Sequence, residues 1–389
     1  MTPQLVRETH LGGAIVIGLG SILGTGAYVS IGLSASIAGD LLIWAIIIAA
    51  FTALCNGLSS AQLASSHPVS GGTYEYGYHF LNPASGKVAG VLFIVAKSAS
   101  AATAALAVAQ YINSYIGMSY WFVKFTSILL LLVLTLTVLS GVRRTNWLNV
   151  IIVSLSLVGL VVFILAAFSL PATTSSLPST EIGSLSLFHA AALMFVAFTG
   201  YGRIATMGEE IAEPRRNIPR AVWLTLTLIS TIYILVGLAV LRVYNPAMLE
   251  ADSFNIAILV GGSSWRWVII IGGVIAMTGV VLNLVLGVSR VVLAMGRRGD
   301  LPKTFAKLDT DNKSAPVATW MTFFIMALIA LMGEIKSAWT LSAFTVLAYY
   351  GITNLAALKV TVEDRFIPRW VSIIGLLSCS GLIILAVLA

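Results

Sequence analysis

The chain has 389 residues, of which 58% are hydrophobic and only 10% charged, with a net charge of +7. That is too few charges to cover a soluble globule of this size. Apolar runs of about twenty residues recur from end to end, enough to cross about 30 Å of hydrocarbon, and they lack the alternation of a membrane β-barrel, so an all-α polytopic membrane protein is expected.

The first span, from Leu11 to about Ile37, carries "GLGSILGTGAY" from Gly18: four glycines within nine residues, with Ser21 and Thr25 between them. It has neither a basic leader region nor a small-residue cleavage site, so it reads as retained. The glycines weaken a helix and free its backbone groups. They admit three readings. The G-x-G-x-x-x-G spacing of Gly18, Gly20 and Gly24 is a loose dinucleotide fingerprint, set aside because no strand precedes it. Gly20 and Gly24 are also spaced for helix packing. The third reading is a broken helix. Its half-helix ends would offer N–H groups to a carboxylate and carbonyls to an ammonium.

Ten more spans follow, at about Leu41–Ala64, Val88–Ile116, Phe122–Leu139, Trp147–Leu170, Leu187–Met207, Ala221–Val243, Trp267–Met295, Thr319–Met332, Ala338–Leu358 and Trp370–Leu388. Span 3 holds Lys97, nine residues past Val88 and thus about 14 Å deep at 1.5 Å per residue. Its neighbours "SASAATAALA" are small, so helices can pack closely around it, and no Asp or Glu lies well inside any span. Span 6 carries "MFVAFTGYGRIATMGEE", where Gly200 and Gly202 interrupt an apolar run beside Thr199. An interval of five spans inverts topology, so the two glycine breaks lie in matching places of two inverted halves.

Sixteen of the 22 Lys and Arg residues fall in one set of alternate loops, which places the N-terminus in the cytoplasm and, with an odd number of spans, the C-terminus outside. The positive charge is therefore a topology signal and not a nucleic-acid surface. No phosphate-binding G-x-x-x-x-G-K-[ST] occurs, the four histidines have no metal-ligand spacing, and Cys55 and Cys379 read as core thiols. Neither an enzyme nor a bound cofactor is expected.

Four motifs then resemble the amino acid–polyamine–organocation transporters over nearly the whole chain. "ILGTGAY" from Ile22 is similar to the signature of the first span. "SGGTYEYGYHFLNPASGKVAG" from Ser70 resembles the loop after span 2, "FTGYGRIATMGEEIAEPRRNIPRA" from Phe198 the span-6 signature and its loop, and "GVSRVVLAMGRRGDLPKTFAKL" from Gly287 the loop after span 8. The resemblance implies the five-plus-five inverted-repeat fold of the leucine transporter. On this chain that means a first repeat over about 10–170, a second over about 186–358, and an extra helix over about 368–389 in one transporter domain. Members usually have twelve spans, and this chain is expected to have about eleven.

The resemblance further implies that backbone N–H groups around Thr25 and Gly26 hold a substrate carboxylate. The carbonyls of Ile22 and Phe198 would hold its ammonium, and Thr199, Gly200 and Tyr201 would line the side-chain pocket. Where many relatives carry an acidic residue after the span-6 glycine–aromatic pair, this chain has Gly202 followed by Arg203. Where proton-coupled relatives place a lysine in span 5, it has Ser156 as the nearest match. Lys97 is then the expected coupling residue, with a proton as partner ahead of sodium. Arg203 is the expected cytoplasmic gate, with Glu75, Glu209 or Glu210. A neutral amino acid is the expected cargo, an anionic one second, and cationic ones disfavoured for want of a buried carboxylate. An exchanger, or a membrane sensor without transport, are the competing functions. A sensor is expected to need a signalling tail that the short termini do not supply.

Overall fold

In hydrocarbon every backbone polar group must be satisfied within the segment, which leaves helix as the economical solution for apolar runs of this length. The computed structural model describes residues 9–69, 71–140, 146–172, 184–206, 211–244, 255–260, 265–309 and 314–389. Among these, helix and one isolated bridge, Thr9 to Ile211, account for the regular structure. The main helices are α1 (Leu11–Ile22), α2 (Ile31–Ala38), α3 (Leu42–Ser66), α4 (Pro83–Ile116), α5 (Tyr120–Leu139), α6 (Asn146–Ser169) and α7 (Ser184–Phe198). They are followed by α8 (Gly202–Thr206), α9 (Pro214–Arg242), α10 (Arg266–Arg298), α11 (Pro316–Met332), α12 (Ile335–Ala357) and α13 (Arg369–Val387).

Among the described residues, eight stretches are long and apolar enough to cross a membrane, and one of them, Leu11–Ser66, is long enough to cross twice. The 17-residue α11 and the 23-residue α12 complete the eleven spans that the sequence predicts. Local chemistry sets their ends. α4 starts five residues before Val88 because Pro83 opens the helix and the Asn82 side chain accepts the N–H of Ser85 at 2.9 Å. α10 runs three residues past Met295 and stops at Gly299, whose φ of 89° suits a glycine.

The interior is built around α4. Its run from Ser98 to Ala109 is buried and, Leu106 and Val108 apart, made of small residues, which lets α10 and α12 approach closely. The opposite case is the periphery. On α5, Phe125, Leu129, Val133 and Leu136 form an exposed stripe at helical spacing, as do Leu155, Val158, Val161 and Leu165 on α6. Exposed apolar stripes of this kind are the surfaces that face lipid.

The two ends of the bundle differ in charge chemistry. At one end, ion pairs join the loops: Arg298 to Glu75 at 2.6 Å, Lys87 to Asp300 at 3.4 Å and Arg215 to Asp364 at 3.1 Å. At the other end, cations cap carbonyls instead. Lys124 is buried and donates to the carbonyls of Ala330 and Gly333 at the C-terminus of α11, and Arg242 donates to the carbonyl of Leu170 beyond α6.

Candidate functional site at two paired helix breaks

α1 ends at Ile22, and its last hydrogen bond is from the Leu23 N–H to the carbonyl of Leu19 at 2.7 Å. Leu23 turns to an extended conformation (φ −71°, ψ 100°), Leu23 and Gly24 form the turn, and the chain re-enters helix through a π-turn over Gly26–Ser30 before α2. The re-entry leaves the first N–H groups of the second segment without a helical acceptor. The second break is tighter. α7 ends at Phe198, a 3₁₀ turn spans Thr199–Tyr201, and α8 resumes at Gly202.

The breaks cross at backbone distance, and this is what the glycines are for. A Cβ on Gly200 would lie 2.4 Å from the carbonyl oxygen of Ser21 and 2.5 Å from Ile22 Cγ1. A Cβ on Gly26 would lie 2.1 Å from the Tyr233 hydroxyl and 2.9 Å from Ala197 Cβ. Tyr233, on α9, sits between the two breaks. Its hydroxyl lies 3.2 Å from the carbonyl of Ile22 and 3.1 Å from that of Ala197, and can donate to either. Gly20 serves the packing reading, since a Cβ there would press on Asn149 and Val153 of α6.

A cavity of about 660 Å³ opens beside the crossing. Ile22, Thr25, Gly26, Thr199 and Gly200 line it from the two breaks, Lys97 and Ser100 from α4, and Trp339, Tyr349 and Tyr350 from α12. It extends past Arg203 to Arg290, Arg297 and Arg298 at the ion-paired end. Away from that end, hydrogen bonds tie the helices together, from Tyr111 to the carbonyl of Tyr28 (2.9 Å) and from Ser30 and Trp339 to the carbonyl of Leu193 (3.2 and 3.1 Å).

Thr199 gathers three elements. Lys97 Nζ donates to its Oγ1 at 3.0 Å, its own hydroxyl donates to the carbonyl of Val196 at 2.8 Å, and the Tyr350 hydroxyl donates to its carbonyl at 3.3 Å. Lys97 lies 14 residues after Pro83 and 19 before Ile116, close to the middle of α4. Thr25 is 3% exposed, and its hydroxyl has no hydrogen-bond partner within the protein.

The other expected residues are spread more widely. Phe198 and Tyr201 are buried behind the cavity wall, where Phe198 packs on Tyr233 (ring centroids 5.0 Å apart) and Tyr201 on Tyr350 (5.3 Å). Ser156 is buried away from the cavity lining, and its carbonyl accepts the Tyr28 hydroxyl at 2.7 Å. Arg203 lines the cavity, whereas Glu75 is engaged by Arg298 and lies 3.9 Å from His67. Glu209 and Glu210 lie outside the described residues. Tyr233, Tyr350 and the Ser100–Ser342 hydroxyl pair (2.7 Å) were not legible beforehand. Each is a polar group in an apolar span, with no motif around it.

Comparison with known proteins agrees with this architecture. The family model for amino acid permeases matches residues 11–389. An uncharacterized transporter of Mycobacterium tuberculosis is 36% identical over 97% of this chain and 85% of its own length. The branched-chain amino acid permease of Bacillus subtilis is 25% identical over 98% of this chain and 87% of its own, and the methylthioribose transporter of that organism is 26% identical over 89% and 80%. With two broken spans crossing beside a central cavity and a family match along almost its whole length, the chain belongs to the amino acid permeases of the amino acid–polyamine–organocation superfamily.

Proposed function

We propose that this permease is a secondary active transporter that takes up amino acids by alternating access, coupled to protons through Lys97. The observation that carries the reading is the hydrogen bond from the Lys97 ammonium to Thr199. It puts a titratable cation on the broken segment that would hold the substrate, at the middle of a span where an ammonium costs on the order of 3 kcal/mol by insertion scales. A lysine that loses and regains its proton there would tie substrate movement to a proton gradient.

In this reading, the N–H groups at Thr25 and Gly26 hold the substrate carboxylate, and the carbonyls of Ile22 and Phe198 receive its ammonium. Thr199 and Gly200 face the side chain, with Tyr201 supporting them from behind. The two repeats cover about 10–170 and 186–358, and Ser156 stands where other members carry a lysine. The ion-paired end is read as cytoplasmic, which makes the cavity that extends toward it an inward-facing one. Arg203, together with the Glu75–Arg298 pair, closes the inward path in the other half of the cycle.

The test is uptake of labelled amino acids by proteoliposomes across a range of external pH, with and without sodium. Uptake driven by an inward proton gradient, independent of sodium and flattened against pH in Lys97→Gln, is expected. A sodium requirement, or an unchanged pH profile in the variant, overturns the coupling. Uptake only into preloaded vesicles replaces symport with exchange, and binding without uptake replaces transport with sensing.

A further inference from the structure

We propose that the cargo is an amino acid with an acidic side chain, whose second carboxylate is held by Lys97; this rests on the paired breaks being the substrate site. Most polar groups on the wall around Lys97 are already committed. The Thr199 hydroxyl proton goes to the carbonyl of Val196, so its oxygen faces Lys97 as an acceptor. The Ser100 hydroxyl is paired with Ser342 at 2.7 Å, and the Tyr350 hydroxyl is spent on the carbonyl of Thr199. What remains on this part of the wall is the ammonium. It has three N–H donors and one acceptor, Thr199 Oγ1. A ligand group that fits beside it must accept hydrogen bonds.

The charge of the wall selects among acceptors. Among the described residues, Lys97 lines this part of the cavity and no Asp or Glu belongs to the lining. Glu75 neutralises Arg298 at the rim and is not part of the lining, and among the described residues no carboxylate pairs with Lys97. A cationic side chain would be repelled in this position. An aliphatic one would displace water from the ammonium and give nothing back, leaving a charged donor unpaired. A carboxylate supplies both the acceptor and the opposite charge. The α-carboxylate of the same molecule does not compete for Lys97, because the first break offers it backbone N–H groups at Thr25 and Gly26 on another wall. The site thus has two places for an anion and, in the carbonyls of the breaks, one for an ammonium, which is the pattern of a dicarboxylic amino acid.

The same pairing deepens the proposed coupling. The charged form of Lys97 and a bound carboxylate stabilise each other, so proton and substrate would load together and leave together. The sequence placed neutral cargo first; the committed hydroxyls and the uncompensated ammonium turn that order round.

The test uses the purified full-length protein in detergent, with binding measured for L-glutamate, L-aspartate, L-glutamine, L-leucine and L-arginine. Wild type should bind glutamate or aspartate at least about tenfold more tightly than glutamine or leucine, the range expected for a hydrogen bond to a charged group. Lys97→Gln should bring the glutamate-to-glutamine ratio close to one. Leucine or glutamine binding as tightly as both acidic amino acids in wild type overturns the proposal without need of the variant, as does an acidic preference that survives Lys97→Gln. If a neutral amino acid binds best and Thr25→Val weakens it, the paired-break site stands and the acidic cargo alone falls. If no amino acid binds wild type, both fall together.

Discussion

At the scale of single residues, the site is governed by hydroxyls with unequal commitments. The fully buried Tyr233 hydroxyl lies within hydrogen-bond reach of the carbonyls of Ile22 and Ala197, beside the two breaks, and can donate to either. Tyr233→Phe should cost about 1–2 kcal/mol, the usual net worth of a buried hydrogen bond and its orphaned acceptor, read as a lower melting temperature. Thr25 is the opposite case, with a buried hydroxyl and no protein partner. Thr25→Val should leave stability unchanged or raise it, because no hydrogen bond is lost and an unsatisfied group is removed, while substrate affinity falls. A stability loss above about 1 kcal/mol with unchanged affinity would make Thr25 a structural residue. Gly26 is coupled to Tyr233 by proximity, since a Cβ on Gly26 meets that hydroxyl. Gly26→Ala should be strongly destabilising alone and less so in combination with Tyr233→Phe. A double-mutant cycle that is additive would contradict the contact.

At the scale of elements, the segment between α3 and α4 is latched onto the end of α10. Tyr74 and Tyr78 each donate to Asp300 at 2.7 Å, Lys87 approaches the same carboxylate, and Arg298 reaches Glu75 while stacking over Tyr78 (4.1 Å). Burial alone would raise Asp300, but donation from Tyr78, Tyr74 and Lys87 outweighs it and holds the carboxyl below its ordinary range. This half of the latch therefore stays charged at any pH the cell meets. The other half does not. His67 stacks on His79 at 4.0 Å and lies 3.9 Å from Glu75, itself held by Arg298. Burial, then the nearby His79, lower its pKa, and Glu75 only partly opposes them. Neutral His67 thus contributes stability that is fully present above the unfolded imidazole value of about 6.5 and is lost as pH falls through the lower folded value. The melting temperature should drop as pH is taken below about 6.5, and His67→Gln should flatten that slope. An unchanged slope in His67→Gln would remove His67 from the latch. For the gate, Arg203→Ala should raise labelling of a cysteine in the inner vestibule, and equal labelling in variant and parent would refute that role.

At the scale of the whole molecule, much of the plan was legible because hydrocarbon imposes it. Apolar length gave the spans, and glycine clusters gave both breaks, since few other signals survive in a segment so uniformly apolar. Helix ends were less legible: α4 begins at Pro83 through an Asn82 cap that lies before the apolar run. Partners across the fold were not legible at all. Glu75 and Arg298, or Tyr233 and Ile22, are joined only by the packing of distant helices. The basic loops that set the expected orientation meet at one end through Arg298–Glu75, Lys87–Asp300 and Arg215–Asp364. In a background lacking Cys55 and Cys379, a cysteine at the exposed Lys359 should resist an impermeant thiol reagent in intact cells, and one at the exposed Met118 should react. The reverse pattern would invert the topology.

Whether an amino acid lies between the two breaks is decided by a density map of the protein purified with a saturating amino acid. The expected map has a ligand in the cavity beside Gly200, its carboxylate against the N–H groups of Thr25 and Gly26, within hydrogen-bond reach of the wall formed by Thr199 and Lys97. A ligand bound elsewhere, with Thr25 and Gly26 facing only protein, would contradict it.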